Sequence, residues 1–303
     1  MSDVEVENAQ SYGKAAIQAC KLVLNLFKLR IGIVIALTAV AGMAVQPGRA
    51  LPGWQASVLA LAVLVCSAAA GAFNQYHEWT SDRLMERTRR RPFVTGTLKR
   101  GPRWLALIML MMAGGVAAAW LAVNPFAALY TFLGAFVYAI VYTVWLKRRT
   151  WLNIVVGGLA GSFAVLAGAA AVTPALSIDA MLLALVLFLW TPPHFWSLAI
   201  AYRNDYAAAG VPMLPVVKGD AKAARMIFFH TLALVAASLL PVLYSAGWIY
   251  FAGAITGGAY FIQQSLRLAR APDRRAAMQC FHASLAQLSI LLLAAMIDSA
   301  WRV

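Results

Sequence analysis

Nine stretches of about 20 apolar residues limit the folds open to this sequence. They cover residues 29–47, 54–77, 104–123, 126–146, 151–173, 179–201, 225–245, 247–266 and 277–299. A helix needs about 20 such residues to cross the hydrocarbon core of a bilayer. In addition, only 12% of the residues are charged, whereas soluble domains carry roughly 25%. The sequence therefore predicts an all-α integral membrane protein with nine transmembrane helices.

The positions of the basic residues test this count of helices. If residues 1–20 form a polar cytoplasmic tail and the first helix runs outward, all Lys and Arg residues except Arg49 and Arg302 fall in cytoplasmic segments. Membrane proteins show such a bias. We therefore expect one nine-helix domain over residues 21–303, with a cytoplasmic N-terminus and the C-terminus on the opposite side. Topology and contact with anionic membrane lipid then explain the net charge of +14, and we expect no nucleic-acid partner.

Much of the charge lies in one segment, NQYHEWTSDRLMERTRRRP, at residues 74–92. Asn74, Glu78 and Asp82, which we call the NED motif, are spaced four residues apart. A continuous helix would place them on one face. Oxygen ligands of this kind suit Mg²⁺, which often shares its coordination with substrate phosphates. Polar groups near a membrane core are costly, which favours a metal site over simple pairing with arginines at a helix end.

Basic side chains suited to phosphate oxygens surround the NED motif. Arg87 and Arg91 follow it directly in the sequence. Two other predicted cytoplasmic connections contribute Lys147, and Arg203 with the acid Asp205. Guanidinium groups bind phosphate through paired hydrogen bonds, although arginines at this position also serve topology. Together these connections predict a metal–diphosphate site on the cytoplasmic side.

Several motifs resemble one protein family. N-x-x-x-E-x-x-x-D followed by M-x-R-T-x-x-R-P is similar to the first signature of the UbiA superfamily of intramembrane prenyltransferases. YTVWLKRRTWLNIVVGG, WTPPHFWSLAIAYRNDY and AGVPMLPVV resemble its protoheme IX farnesyltransferase (heme O synthase) branch. The resemblance covers about residues 25–300 and implies nine helices around a central cavity. Two positions depart from the pattern, because Glu78 stands where many relatives have Asp and Asn204 where bacterial relatives often carry a second acid.

The resemblance implies an enzyme that transfers a farnesyl group from farnesyl diphosphate to a vinyl group of heme B, giving heme O and diphosphate. The residues that would hold Mg²⁺ are Asn74, Glu78 and Asp82, and the catalytic set would add Lys147 and Asp205. The diphosphate would be bound by Arg87, Arg91, Lys147 and Arg203. The expected location is the bacterial inner membrane, and a heme A synthase or an oxidase assembly protein is a candidate partner.

A heme substrate directs attention to the histidines. His194 follows Pro192 and Pro193 in a predicted helix, where a double proline removes backbone donors and bends the helix. The space opened in this way would let the imidazole reach iron, for which it is a common axial ligand. We therefore predict that His194 and His230 are heme-associated. Hydrogen-bonded interior histidines are the alternative.

Other functions explain parts of the sequence. A UbiA-type prenyltransferase acting on an aromatic acid or a quinone precursor would share the NED motif, but TPPHFW argues against it. A transporter would carry polar residues through the middle of the membrane or internal repeats, whereas the polar groups here stop in the cytoplasmic half. A purely structural subunit would not need the NED motif.

Overall fold

The fold is a bundle of helices. The computed structural model describes residues 20–302, and those residues contain no strand. The helices are α1 (Cys20–Leu26), α2 (Leu29–Val45), α3 (Gly53–His77), α4 (Trp79–Asp82), α5 (Pro92–Thr95), α6 (Pro102–Ala122), α7 (Pro125–Phe136), α8 (Asn153–Gly157), α9 (Leu159–Val172), α10 (Ile178–Ala201), α11 (Arg203–Ala208), α12 (Leu214–Lys218), α13 (Asp220–Leu239), α14 (Trp248–Arg270) and α15 (Arg274–Trp301). A π-helix, Val137–Leu146, continues α7, and a 3₁₀ turn, Leu240–Leu243, follows α13.

Each of the nine predicted apolar segments coincides with a long helix or with two consecutive helices. Within residues 20–302, seven spans are long and apolar enough to cross a membrane, and α1 with α2, which meet at 55°, form an eighth if they are one bent span. The remaining segment, α14, has 23 residues but is less apolar because it contains Gln263 and Gln264. The count of nine spans therefore stays a prediction. Nearly all of the predicted tail, residues 1–19, lies outside the described residues, as does Val303.

The long helices form a closed ring. Each long helix packs against the next in the order α2, α3, α6, α7, α9, α10, α13, α14 and α15, and α15 packs against α2. Helix α9 also packs on α2, and their backbones come so close that a Cβ added to Gly42 or Gly168 would collide with the facing backbone. Small residues permit this approach between membrane helices.

Helix α7 changes to the π hydrogen-bonding pattern near its C-terminal end. The backbone N–H of Lys147 donates to the carbonyl of Tyr142 at 2.9 Å, and the hydroxyl of Thr143 donates to the carbonyl of Tyr138 at 2.8 Å. Both bonds span five residues, so the turn is wider than an α-turn. The π-helix packs against α3, and this contact brings its polar side chains to the NED motif.

Helix α3 ends at His77, immediately before the second residue of the NED motif. Glu78 adopts φ −89° and ψ 8° between α3 and α4. The backbone hydrogen bonds nevertheless continue, from Glu78 N to Asn74 O at 3.0 Å and from Asp82 N to Glu78 O at 2.9 Å. The motif therefore keeps its four-residue helical relation, although the continuous helix that the sequence predicted is broken within it.

Polar side chains hold one end of the bundle by bonding to the backbone. Asp298 accepts hydrogen bonds from the N–H groups of Gly247 at 2.8 Å and Tyr250 at 3.3 Å, at the start of α14. Arg302 pairs with the same carboxylate at 2.9 Å. Gln46 bonds in a similar way to the chain that precedes α10. We call the region around Gln46, Gly247 and Asp298 the capped end.

Candidate functional site

The opposite end of the bundle holds the NED motif, and we call the region around Lys28, Glu78, Lys147 and Asp205 the basic end. Its two motif carboxylates are ion-paired and buried. Glu78 Oε2 lies 2.6 Å from Lys147 Nζ. Asp82, with 0% of its surface exposed, has Oδ2 2.6 Å from Arg91 Nη1. Two of the predicted diphosphate-binding residues thus contact the predicted metal ligands directly.

The pair between Glu78 and Lys147 fixes the charge of the carboxyl group. Burial alone would raise the pKa of Glu78. The Lys147 ammonium, through its charge and its hydrogen bond, and the nearby charges of Lys28 and Arg91 outweigh burial and lower that pKa below its ordinary value. Glu78 is therefore ionised at neutral pH and can serve as a ligand for a cation.

Asn74, the third member of the motif, is held by a lysine that the sequence did not single out. Lys28 Nζ donates to Asn74 Oδ1 at 2.7 Å and to the Tyr138 hydroxyl at 3.0 Å. Asn74 Nδ2 donates to Thr143 Oγ1 at 3.1 Å. In the sequence Lys28 is one basic residue before an apolar segment, which topology explains equally well. Its placement depends on the bend between α1 and α2, which no sequence pattern indicated.

The residues of the NED motif fit a hard divalent cation. Asp82 Oδ1 is buried and has no hydrogen-bond partner in the part of the chain that the structure describes. Such an orphan acceptor is costly, and a cation would satisfy it. Residues 20–302 contain no group of three or more His, Cys, Asp or Glu side chains that could hold a metal. An ion bound here would therefore need Asn74 and further oxygens, as Mg²⁺ does when it shares substrate phosphates.

A second group of predicted residues lines an open cavity of about 660 Å³ beside the motif, among them Arg203, Asn204 and Asp205. The backbone N–H of Arg87 donates to Asp205 Oδ2 at 3.3 Å, so the segment after the NED motif contacts α11. The Arg203 guanidinium turns towards Asp220 at 3.3 Å. The structure therefore separates the predicted residues into a closed cluster around the motif and a more open group at the rim.

His194 lies in an aromatic stack rather than beside an open space. Its ring is stacked against Trp190 and Phe281, with centroids 4.2 and 4.4 Å away, and only 6% of the residue is exposed. Helix α10 continues through Pro192 and Pro193. The expected opening next to the double proline is therefore absent from the described structure, because aromatic side chains of α10 and α15 fill it. The heme role of His194 stays a prediction.

The hydrogen bonds around His194 determine which ring nitrogen carries the proton. His194 Nδ1 lies 2.7 Å from Ser284 Oγ. That hydroxyl also donates to the carbonyl of Phe281 at 2.7 Å. The donor and acceptor roles in this pair depend on the tautomer of the ring. A hydroxyl has one hydrogen, and when that hydrogen points to the Phe281 carbonyl, Nδ1–H donates to Ser284. In the neutral ring the lone pair is then on Nε2, and partners of this kind orient metal-binding histidines.

His230 occupies a different environment on α13. It is half-buried, and its ring lies edge-on to Trp196 with centroids 5.7 Å apart. Its Nε2 is buried without a hydrogen-bond partner among residues 20–302. A buried nitrogen of this kind is available to a ligand, so His230 also stays a heme-associated prediction.

Comparisons with known proteins identify the family. Residues 35–291 match the model of the UbiA prenyltransferase family. Protoheme IX farnesyltransferase 2 of Paramagnetospirillum magneticum is 55% identical over 92% of this chain and 96% of that protein. The protoheme IX farnesyltransferase of Gloeobacter violaceus is 41% identical over 91% of this chain and 90% of that protein.

Solved structures show the same fold. A digeranylgeranylglyceryl phosphate synthase superposes with a TM-score of 0.74 at 18% identity, covering 93% of this chain and 99% of that one. A UbiA homologue from Archaeoglobus fulgidus, bound to DMAPP and Mg²⁺, superposes with a TM-score of 0.68 at 14% identity, covering 89% and 98%. The chain belongs to the UbiA prenyltransferase family.

Proposed function

We propose that the chain transfers a farnesyl group from farnesyl diphosphate to a vinyl group of heme B, giving heme O and diphosphate. Relatives that carry the name protoheme IX farnesyltransferase match it over most of their length. The observation that carries the proposal is the buried NED motif, in which each side chain is paired with a basic residue and Asp82 Oδ1 has no partner among residues 20–302.

The reaction separates charge at the diphosphate. The allylic C–O bond breaks and its electron pair leaves with the diphosphate. The π electrons of the heme vinyl group then form the new C–C bond, and water adds its oxygen to the remaining carbocation and releases a proton. The barrier is lowered by positive groups already placed where the leaving charge develops. The protein must also keep water from the allylic cation until the C–C bond has formed.

The basic end supplies the groups that the leaving diphosphate requires. Asn74, Glu78 and Asp82 would hold Mg²⁺, which supplies charge neutralisation at the diphosphate oxygens when bound. Lys147 and Arg91 contact the carboxylates of the motif at 2.6 Å and are placed to donate to the diphosphate. At the rim, Arg87 and Arg203 would guide it from the open cavity, which Asp205, a member of the proposed catalytic set, also lines.

Aromatic rings adjoin this charged cluster. Tyr138 and Tyr142 stack with centroids 5.7 Å apart. Lys28 donates to the hydroxyl of Tyr138, and the Lys147 ammonium lies 5.6 Å from the centroid of Tyr142. Ring faces attract cations. The two tyrosines would therefore stabilise the allylic cation close to the departing diphosphate.

The heme would be oriented by His194, with His230 as a second heme-associated residue. Ser284 holds the proton of His194 on Nδ1, which leaves the Nε2 lone pair for iron. Because aromatic side chains cover the ring, heme binding would require Phe281 or Trp190 to shift. Ser284 is thus a positioning residue, since it acts on the heme through His194.

The chain is a multi-pass membrane protein, and its basic residues suggest an orientation. The proposed site lies on the cytoplasmic side of the bacterial inner membrane, with the N-terminus cytoplasmic and the C-terminus opposite, because Lys and Arg concentrate in segments at the basic end. Heme O released there would pass to a heme A synthase or an oxidase assembly protein, the candidate protein partners.

A direct test incubates the purified protein with heme B, farnesyl diphosphate and Mg²⁺ and identifies the hemes by mass. We expect a product heavier by one farnesyl group and one hydroxyl group, and no product when Mg²⁺ is chelated. Parallel reactions contain 4-hydroxybenzoate in place of heme B. If the aromatic acid were prenylated in its reaction and heme B stayed unchanged in the other, the proposed substrate would be overturned.

A further inference from the structure

Lys28 occupies a ligand atom that a metal ion would need. We propose that Lys28 is a diphosphate-binding residue that holds Asn74 Oδ1 in the metal-free protein and moves to the diphosphate when a divalent cation binds. The inference rests on the metal–diphosphate site of the proposed function. It adds a binding residue to that site and predicts that metal and diphosphate bind together.

The position of Lys28 is built into the packing of α2 against α3. Its ammonium contacts Asn74 and Tyr138, and its half-buried aliphatic stem runs across Gly71 of α3. A Cβ built on Gly71 would lie 3.4 Å from Lys28 Cδ, so the stem lies directly against α3. The lysine thus reaches the motif from the break between α1 and α2.

The backbone at Lys28 is strained, which indicates that the surrounding structure imposes its conformation. Among residues 20–302 it is the only non-glycine residue with positive φ, at φ 47° and ψ 42°. Such a conformation is strained and often occurs at functional sites. Gln75 Nε2 donates to the carbonyls of Asn25 at 2.7 Å and Leu26 at 3.0 Å, at the end of α1. Helix α3 therefore carries Asn74 and also fixes the break that directs Lys28 towards it.

The three basic residues on the motif differ in the charge of their partners. Lys147 and Arg91 each face a carboxylate, whereas the two hydrogen-bond partners of Lys28 are an amide and a phenol. In its protonated form Lys28 therefore adds a positive charge that its own contacts do not neutralise. A divalent cation on Asn74 would displace and repel it, and a diphosphate would attract it through charge-assisted hydrogen bonds.

This exchange predicts opposite effects on two binding constants. Without Lys28, a metal ion alone meets one competing cation fewer and binds more tightly. The metal–diphosphate complex loses a charged donor and binds more weakly, by about tenfold or more if the lost hydrogen bond has the usual strength for a charged group. If Lys28 only held α2 against α3, its replacement would weaken both the binding of the metal ion alone and the binding of the metal–diphosphate complex.

The experiment measures Mn²⁺ binding to the purified full-length protein by electron paramagnetic resonance, with and without inorganic pyrophosphate. Lys28→Met keeps the length of the side chain and removes the charge. Lys21→Met is the matched control, because Lys21 is exposed on α1. We expect Lys28→Met to bind Mn²⁺ alone several-fold more tightly and Mn²⁺–pyrophosphate about tenfold more weakly, with no shift in the control. Lys28→Arg should retain pyrophosphate binding.

Weakening of both constants, no change in either, or the same shifts in Lys21→Met would overturn the inference. Should Lys28→Met not fold, Lys28→Gln is judged by the same two constants. Farnesylation of heme B by the unmodified protein is measured separately. If the wild-type protein farnesylates heme B but the two Mn²⁺ binding constants are the same with and without Lys28, only this inference is overturned. Opposite shifts in a protein that does not modify heme support the inference and overturn the proposed acceptor.

Discussion

The two ends of the bundle both bury polar side chains, but they bind them differently. At the capped end, Asp298 accepts from backbone N–H groups of α14, which cannot move without unwinding the helix. At the basic end, the NED motif is held by Lys28, Arg91 and Lys147, whose long side chains can turn to another partner. Burial of a polar group in a membrane protein therefore does not by itself indicate function. The two ends differ in whether the hydrogen-bond partner of the buried group is a flexible side chain or a fixed backbone N–H.

The largest expected effect is on turnover at the basic end. Asp82→Asn should lower heme O formation by about 10²–10³-fold, because loss of one group that stabilises leaving charge has this cost. The variant should still fold, since asparagine fills the same volume. Product is measured by mass and folding by gel filtration in detergent. Asp298→Asn, which changes a buried acid at the capped end, is the control and should keep its turnover per folded molecule. Equal losses of turnover in Asp82→Asn and Asp298→Asn would contradict a functional difference between the basic end and the capped end.

Ser284 sharpens the comparison, because its hydroxyl bonds both to the backbone and to a side chain. Ser284→Ala should weaken heme binding by about 10-fold or more, the usual effect of losing a group that orients a metal-binding histidine. His194→Ala should weaken it further and shift the Soret band, while pyrophosphate binding stays unchanged. Ser265→Ala is the matched control, since Ser265 is also fully buried and donates to the carbonyl three residues earlier. Ser284→Thr should restore the wild-type spectrum. A wild-type spectrum and heme affinity in both Ala variants would identify His194 as a core residue.

At the capped end the expected effect is on stability. Asp298→Ala leaves the N–H groups of Gly247 and Tyr250 without their acceptor, which costs about 1–3 kcal/mol. Thermal unfolding in detergent should therefore begin at a lower temperature, with unchanged turnover per folded molecule at lower temperatures. Asp273→Ala removes an exposed cap from α15 and should cost about 1 kcal/mol or less. A larger effect for Asp273 than for Asp298 would contradict this assignment.

The smallest effect separates charge from geometry within the motif. Glu78→Asp keeps a carboxylate opposite Lys147 and should retain more turnover than Glu78→Gln, by about tenfold, because only the glutamine variant replaces the negatively charged acceptor by a weaker neutral one. Steady-state rates at saturating Mg²⁺ measure the difference. If glutamine were tolerated as well as aspartate, the charge of Glu78 would have no part in the reaction.

Sequence patterns predicted the elements whose signal is local. The apolar segments matched the long helices, and the spacing of the NED motif matched its backbone hydrogen bonds. What they could not predict depends on contacts between distant residues. Lys28 reaches Asn74 across 46 positions in the chain, and its basic character alone was explained by topology. The stack around His194 needs Phe281 from another helix, so Pro192 and Pro193 indicated a space that the fold fills.

The π-helix has a consequence for how this site tolerates insertions and deletions. Its wide turn accommodates more residues than an α-turn of the same height. Deleting one residue from Val137–Leu146 while its hydrogen bonds keep the π pattern would turn every following side chain about the helix axis by the angle of one residue step. Lys147 would then leave Glu78, although no residue of the NED motif had changed. The position of Lys147 at the site therefore depends on the number of residues in the π-helix as much as on their identity.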